Sequence, residues 1–322
     1  MINLISLCQD AETIGISGHI RPDGDCVGST CGLWQFLRKA FPDKRIDVRL
    51  EKPADIYSFV PGVSDIVSDE AETVYDVFFV IDSVPERSGT AEKYYRAAKT
   101  KVNIDHHITN PGDGDLCYID AGASSASELV YDLIREADRE GRYMDAALAE
   151  TIYLGIIQDC GVFQYSNTSP KTLRAAAELI TYGFDFPKLI EQTFYEKTYV
   201  QNRVLGFALS NSRLCLSDTF IYSIVTRKDM EKLHAGDHDF EGVVNQLRYT
   251  KQVKAAALLH ETEDGGYKVS LRSGGEVDVS RVAARFGGGG HIRAAGCALS
   301  CGGEEAAALL AAEIEKQLAK AN

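Results

Sequence analysis

Five consecutive apolar residues, Val77-Phe78-Phe79-Val80-Ile81, run directly into Asp82. Alternate residues of a strand face opposite sides of the sheet, so an unbroken apolar run of strand length fits a sheet covered on both faces. Similar short runs occur at Thr13–Ser17, Ile46–Leu50 and Lys101–Ile104. Between and after them lie stretches with helical patterning: Gly28–Ala40, Ala91–Ala98, Ser124–Glu140, Asp145–Ile157 and Lys171–Tyr182. Strand-helix alternation of this kind predicts an α/β domain with a parallel sheet between helices.

In such a sheet all carboxyl ends of the strands lie on one edge, and ligand sites form just outside it. Here those ends carry a recurrent chemistry. The first strand leads into Gly18-His19-Ile20-Arg21-Pro22-Asp23-Gly24-Asp25-Cys26-Val27-Gly28-Ser29, the third into Asp82, and the fourth into Asp105-His106-His107. The helix Asp145–Ile157 exits through Gln158 to Asp159. Carboxylates this dense repel one another unless a cation lies between them. Four aspartates with two or more histidines exceed the three protein ligands of a catalytic zinc. The set suits two metal ions bridged by one carboxylate, with manganese favoured by the oxygen-rich, part-imidazole donors and cobalt, iron or magnesium as substitutes. Gly24 and Gly28 are read as permitting a tight turn and close approach to a ligand.

Around Phe186-Pro187 the texture changes. Leu189 to about Leu214 reads as one long connecting helix. Beyond it, Phe220–Val225, Val253–His260 and Tyr267–Arg272 read as strands, and Glu304–Lys320 as a C-terminal helix. The expected organisation is therefore a metal-binding domain over 1–186, a helical linker over 187–213 and a smaller α/β domain over 214–322, with the active site in the cleft between domains. Inside the second domain, Gly287-Gly288-Gly289-Gly290 can present successive backbone N–H groups to an anion, and Arg293 can bind phosphate in a bidentate fork. Residues 241–300 hold eight Lys/Arg against six Asp/Glu, an excess of positive charge inside a chain of net charge −13. The acidic balance argues against sequence-blind binding to long duplex nucleic acid, which needs a basic face. No uncharged run approaches membrane-spanning length and the N-terminus lacks a basic n-region, so neither a membrane segment nor a signal peptide is expected. The eight scattered cysteines lack a Cys-x-x-Cys pair and fit reduced thiols in a cytoplasmic protein.

Taken together, His19-x-x-x-Asp23-x-Asp25, Asp82, Asp105-His106-His107 and Asp159 resemble the four motifs of the DHH phosphoesterase superfamily. Gly287-Gly288-Gly289-Gly290-His291-Ile292-Arg293-Ala294-Ala295-Gly296 is similar to the signature of its DHH-associated C-terminal domain, and Arg272 matches a second position there. In size and layout the chain most resembles the nanoRNase/pAp-phosphatase subgroup. Two positions depart from the pattern: cysteine at 26 where alanine is usual, and Gln158 and Cys160 flanking Asp159 where threonines are more frequent.

The resemblance implies one manganese on His19, Asp23 and Asp82, and another on Asp25, Asp82, His106 and Asp159, with Asp82 bridging. It implies that Asp105 orients His106 and that His107 binds or protonates a phosphate oxygen. Arg272, His291, Arg293 and the glycines at 288, 289 and 290 would hold the substrate's other phosphate. The implied activity is two-metal hydrolysis of short oligoribonucleotides to nucleoside 5′-monophosphates and of 3′-phosphoadenosine 5′-phosphate (pAp) to AMP; the sequence leaves both a monomer and a homodimer open. The alternatives are a phosphodiesterase for pApA or cyclic di-AMP, and a non-catalytic nucleotide sensor.

Overall fold

The computed structural model describes residues 2–68 and 72–319, and the chain divides into two compact units, Met1–Glu196 and Lys197–Asn322. The first unit contains, in order, α1 (Leu4–Cys8), β1 (Thr13–Ser17), α2 (Gly24–Ala40), β2 (Arg45–Val48), β3 (Val77–Ile81), α3 (Glu92–Ala97), β4 (Thr100–Asp105), β5 (Leu116–Ile119), α4 (Ala126–Ala137), α5 (Ala146–Asp159), α6 (Pro170–Leu179) and α7 (Phe186–Ile190). Its strands lie in the order β2-β1-β3-β4-β5, with parallel pairing throughout. The apolar run of β3 is buried along its whole length. Phe79 and Ile81 join the main core with Val27, Leu33, Leu129 and Ile152, whereas Phe78 and Val80 pack with Tyr75, Tyr94 and Tyr95 on the opposite side.

Helix α2 starts at Gly24, one turn before the sequence-based bound, because Asp23 caps it. The glycines at 24 and 28 serve helix packing rather than a turn against a ligand. A Cβ on Gly28 would lie 2.8 Å from the Gly155 Cα of α5, and one on Gly24 would run into the Gln158 side chain. The close approach draws the start of α2 and the end of α5 together, which brings Asp25 towards Asp159.

The connecting helix read over Leu189–Leu214 does not form as one element. Helix α7 passes into a π-turn at Glu191–Tyr195, and Glu196 is extended. A new helix, α8 (Tyr199–Ser210), then begins behind a capping box in which the Thr198 and Gln201 side chains each accept the other residue's backbone N–H. The second unit continues with β6 (Arg213–Cys215), β7 (Phe220–Val225), α9 (Arg227–Leu233), α10 (Val243–Arg248), β8 (Ala255–Glu261), β9 (Tyr267–Ser273), α11 (Val279–Ala284), β10 (Gly289–His291), β11 (Ala294–Leu299) and α12 (Gly303–Leu318). The bound read at Lys320 lies outside the described residues. The sheet order is β10-β11-β9-β8-β7-β6, antiparallel except for β7 against β8. Leu259 and Val269 face Leu310 of α12, while Ala256 and Leu258 face Val204 of α8 and Leu247 of α10. Among the described residues, no helix is long and apolar enough to cross a membrane.

Candidate metal centre

The residues singled out at the strand ends of the first unit converge on one rim. After β1 the chain delivers His19, whose Nδ1 lies 2.8 Å from the Ile20 carbonyl. A ring nitrogen facing a carbonyl carries the proton, so Nε2 is left to face Asp23 Oδ1 at 3.6 Å and Asp82 Oδ2 at 3.5 Å. Asp23 Oδ1 also accepts the backbone N–H groups of Asp25 and Cys26 at 3.1 Å each, which fixes it to the first turn of α2.

Asp82 follows β3 with φ +60°, a region that non-glycine residues seldom occupy and that clusters at functional sites. Its backbone N–H donates to the Ile104 carbonyl at 2.9 Å, and the side chain is 4% exposed. Its two oxygens face different histidines, Oδ2 towards His19 and Oδ1 towards His106 Nε2 at 3.5 Å. His106 Nε2 also faces Asp159 Oδ2 at 3.1 Å and Asp25 Oδ2 at 3.8 Å. Asp82 Oδ1 and His106 Nε2 are both buried without a hydrogen-bond partner. Buried polar atoms are ordinarily paired, so atoms of this kind in a cluster of carboxylates and imidazoles have the character of cation ligands.

Electrostatics point the same way. Asp25 is fully buried, and its oxygens accept the N–H groups of Ala126 at 2.6 Å and Ser127 at 2.9 Å, at the positive end of α4. Even so, burial raises its pKa well above the carboxylate range, and the charges on Asp82 and Asp159 add to the effect. Burial likewise raises Asp159, against the pull of His106. Burial opposes a charge on His106, but Asp159, Asp82 and Asp25 outweigh it and push its pKa up to about 11. More negative charge is gathered here than the protein's own groups neutralise, and a divalent ion would supply the balance. Ligand atoms of Asp25, His106 and Asp159 lie within 4.8 Å of one another, as do those of His19, Cys26 and Asp82, and those of Asp82, Asp105, His106 and His107. Cys26 is a poor donor, since burial pushes its thiol up to about 12 and leaves it neutral.

One assignment changes. Asp105 orients the His107 ring, not that of His106: its Oδ1 lies 2.7 Å from His107 Nδ1 and also accepts the backbone N–H groups of His106 at 2.7 Å and His107 at 3.0 Å. Sequence reasoning missed what holds Asp105. Its Oδ2 accepts from Asn110 Nδ2 at 2.6 Å, and the same amide reaches Asn103 Oδ1 at 3.0 Å. An asparagine just after Asp105-His106-His107 is the one signal the sequence offered. Ala126 and Ser127, which act through backbone N–H groups, left none.

In the second unit the glycine run does not form a concave nest. Gly287 and Gly288 donate their N–H groups to the carbonyls of Ala284 and Ala283, at 3.3 and 2.9 Å. Gly289, Gly290 and His291 pair with Gly296, Ala295 and Ala294 in a hairpin whose tip is Ile292-Arg293. The glycines permit that pairing: a Cβ on Gly288 would lie 2.5 Å from Cys297 Cβ, and Gly290, at φ +144°, would place one 2.5 Å from the Ala294 carbonyl. His291 and Arg293 are exposed at this tip. Arg293 O accepts the Ser273 N–H at 3.0 Å, so Arg272, the preceding residue on β9, stands beside it. Arg272, Gly288, Gly289, Gly290, His291 and Arg293 thus gather at one end of this sheet.

Comparison with known proteins matches both units. Residues 13–156 match the family described as "DHH family, N-terminal domain", and residues 218–320 match the "DHHA1 domain". The chain is 33% identical to the bifunctional oligoribonuclease and PAP phosphatase NrnA of Bacillus subtilis, over 93% of this chain and 92% of that one. It is 32% identical to the protein of the same name from Thermus thermophilus, over 89% and 84%. An exopolyphosphatase-related protein from Bacteroides fragilis superposes with a TM-score of 0.85 at 29% identity, over 97% of this chain and 94% of that one. With the rim geometry and the hairpin, these similarities establish that the chain belongs to the DHH family.

Proposed function

We propose that this protein is a metal-dependent phosphoesterase that hydrolyses short oligoribonucleotides to nucleoside 5′-monophosphates and pAp to AMP. The similarity to two bifunctional oligoribonuclease and PAP phosphatases, over most of each chain, supports the substrate class. The observation that carries the chemistry is His106 Nε2, buried without a hydrogen-bond partner and facing three carboxylates within 3.8 Å.

His19, Asp23 and Asp82 would hold one divalent ion, and Asp25, Asp82, His106 and Asp159 a second, with manganese suited to this donor set. Ions bound there would lower the pKa of a water towards neutrality and screen the phosphoryl charge. Both proposed reactions break the bond between phosphorus and a ribose 3′ oxygen. His107 would serve that oxygen. Its ring is half exposed, and Asp105 holds Nδ1, which leaves Nε2 to donate its proton to the departing alkoxide. The Asp105 bond, opposed by burial, raises the His107 pKa and so favours the protonated donor. Arg272, His291 and Arg293 would bind the substrate's other phosphate, with the hairpin glycines at 288, 289 and 290 keeping side chains away from it. All eight cysteines are unpaired, consistent with the cytoplasmic location we propose.

The test is a product profile with purified protein in manganese, offering pAp, a short RNA ladder, pApA, cyclic di-AMP and pyrophosphate side by side. Mononucleotides from the ladder and AMP from pAp, both lost in Asp82→Ala, are expected. Preference for pApA or cyclic di-AMP would replace this reading with dinucleotide turnover. Metal binding without hydrolysis of any of them would leave a nucleotide sensor.

A further inference from the structure

Asp25 and Asp159 reach His106 from α2 and α5, and the Asp25 carboxylate is gripped by N–H groups at the start of α4, so its spacing from Asp159 also depends on how that start sits against the end of α5. One side chain bonds both places. Asn167 Nδ2 donates to the Ser124 carbonyl at 2.9 Å and to the Asp159 carbonyl at 3.2 Å. Ser124 precedes the α4 cap, Ser125, after which the N–H groups of Ala126 and Ser127 grip Asp25. We infer that Asn167 is a positioning residue for the metal centre, fixing the distance between the start of α4, which grips the Asp25 carboxylate, and the end of α5, which carries Asp159. The inference rests on the metal-dependent reading above.

The backbone between Asp159 and Asn167 gives the link something to restrain. Gly161, Val162 and Phe163 follow one another at φ +56°, +50° and +66°. A β-branched residue and an aromatic one are poorly accommodated in the left-handed region, and such conformations persist only where surrounding contacts hold them. The turn is closed by bonds from Val162 N–H to the Ile157 carbonyl at 2.9 Å and from Tyr165 N–H to the Cys160 carbonyl at 3.0 Å. Asn167 then returns across the loop to Asp159 itself. A primary amide has two N–H groups, one for each carbonyl. An aspartate of the same shape would set a carboxylate against two carbonyl oxygens and reverse both contacts. Asn167 Oδ1 is buried and makes no hydrogen bond, so the donating end alone accounts for the polar contacts of this side chain.

The test reads metal affinity as well as activity. Manganese titrations of full-length wild type, Asn167→Ala and Asn167→Asp would be followed by calorimetry, with far-UV circular dichroism to verify folding. Gln164→Ala, on the exposed side of the same loop, controls for general loop damage. Both Asn167 variants are expected to remain folded and to bind manganese about 10- to 100-fold more weakly, while Gln164→Ala stays within twofold of wild type. A folded Asn167→Asp protein with wild-type manganese affinity would overturn the inference, as would equal weakening by Gln164→Ala. If Asn167→Ala does not fold, Asn167→Asp alone decides. Wild-type protein that binds manganese but cleaves neither RNA nor pAp would refute the proposed function and leave the Asn167 result standing.

Discussion

In the first unit three of the four carboxylates that face His19 and His106 are anchored before any ligand arrives. Asp25 is fixed by two backbone N–H groups of α4, Asp23 by the first turn of α2, and Asp82 stands on a strained backbone tied to Ile104. In the second unit, Arg293 stands exposed on a two-residue hairpin tip and His291 on the strand that leads into it, with glycines behind them. The contrast follows from the work each region is proposed to do. A centre that compresses like charges stores repulsion, and only a stiff, buried frame keeps them in register for an ion. A surface that receives oligonucleotides of differing length gains from long cationic side chains kept in water until a phosphate arrives.

The sharpest way to break this contrast is to disarm the rigid side. Asp82→Asn keeps the shape but removes the charge shared between His19 and His106. It should lower the rate on pAp by about a thousandfold or more, roughly 4 kcal/mol of barrier, measured as kcat in saturating manganese. A loss of less than tenfold would show that Asp82 does not carry the chemistry. The hairpin offers a gentler comparison. Gly288→Ala should cost about 1–3 kcal/mol of stability in urea denaturation, because its methyl meets Cys297 at 2.5 Å. Gly289→Ala meets nothing within 4 Å and should denature like wild type. Equal effects from the two would mean that packing is not what the glycines provide. Arg293→Ala should act on recognition alone, raising KM for pAp by about 1.5–3 kcal/mol while kcat on bis-p-nitrophenyl phosphate is unchanged.

The smallest effect concerns pH. His260 is buried against Phe240 with neither ring nitrogen bonded, and its pKa is lowered by burial, with Lys268 adding and Asp237 opposing. The unfolded chain therefore takes up a proton more readily than the folded one. Stability from the neutral ring is complete above the unfolded value of 6.5 and drains away as the pH falls through it. Hydrogen exchange at β8 amides, corrected for intrinsic rates, should speed up between pH 7 and pH 5 in wild type more than in His260→Phe. Parallel profiles for the two proteins would exclude the histidine as the cause.

The parts of the fold that rest on hydrophobic pattern were legible in the sequence. β1, β3 and β7 follow the residues read for them, because an apolar run of strand length between turn signals has few other solutions. The convergence of His19, Asp82 and His106 was legible for a related reason: each follows the end of a parallel strand. Rotamers were not. Asp105 lies next to His106 in sequence and bonds the ring of His107, a choice set by side-chain direction rather than spacing. The hairpin at Gly289–His291 was hidden because glycine disfavours strands, and only its partner Ala294–Gly296 makes one. The break after Tyr195 did leave a trace, the Thr198-Tyr199-Val200-Gln201 capping box, which a helical composition on either side masked. Asn167 left none, since its role depends on Ser124, far away in the chain.

The contact between Gly28 and Gly155 leaves the room in which the Asp25 carboxylate sits. A methyl on Gly155 would sit 2.9 Å from Asp25 Oδ1 and would collide with the Ser127 side chain, so the Asp25 carboxylate occupies room that any larger residue would take. The seat of that carboxylate is thus set in part by atoms the chain leaves out. A side chain added at this helix crossing would displace Asp25 relative to Asp82 and Asp159 without replacing any of them.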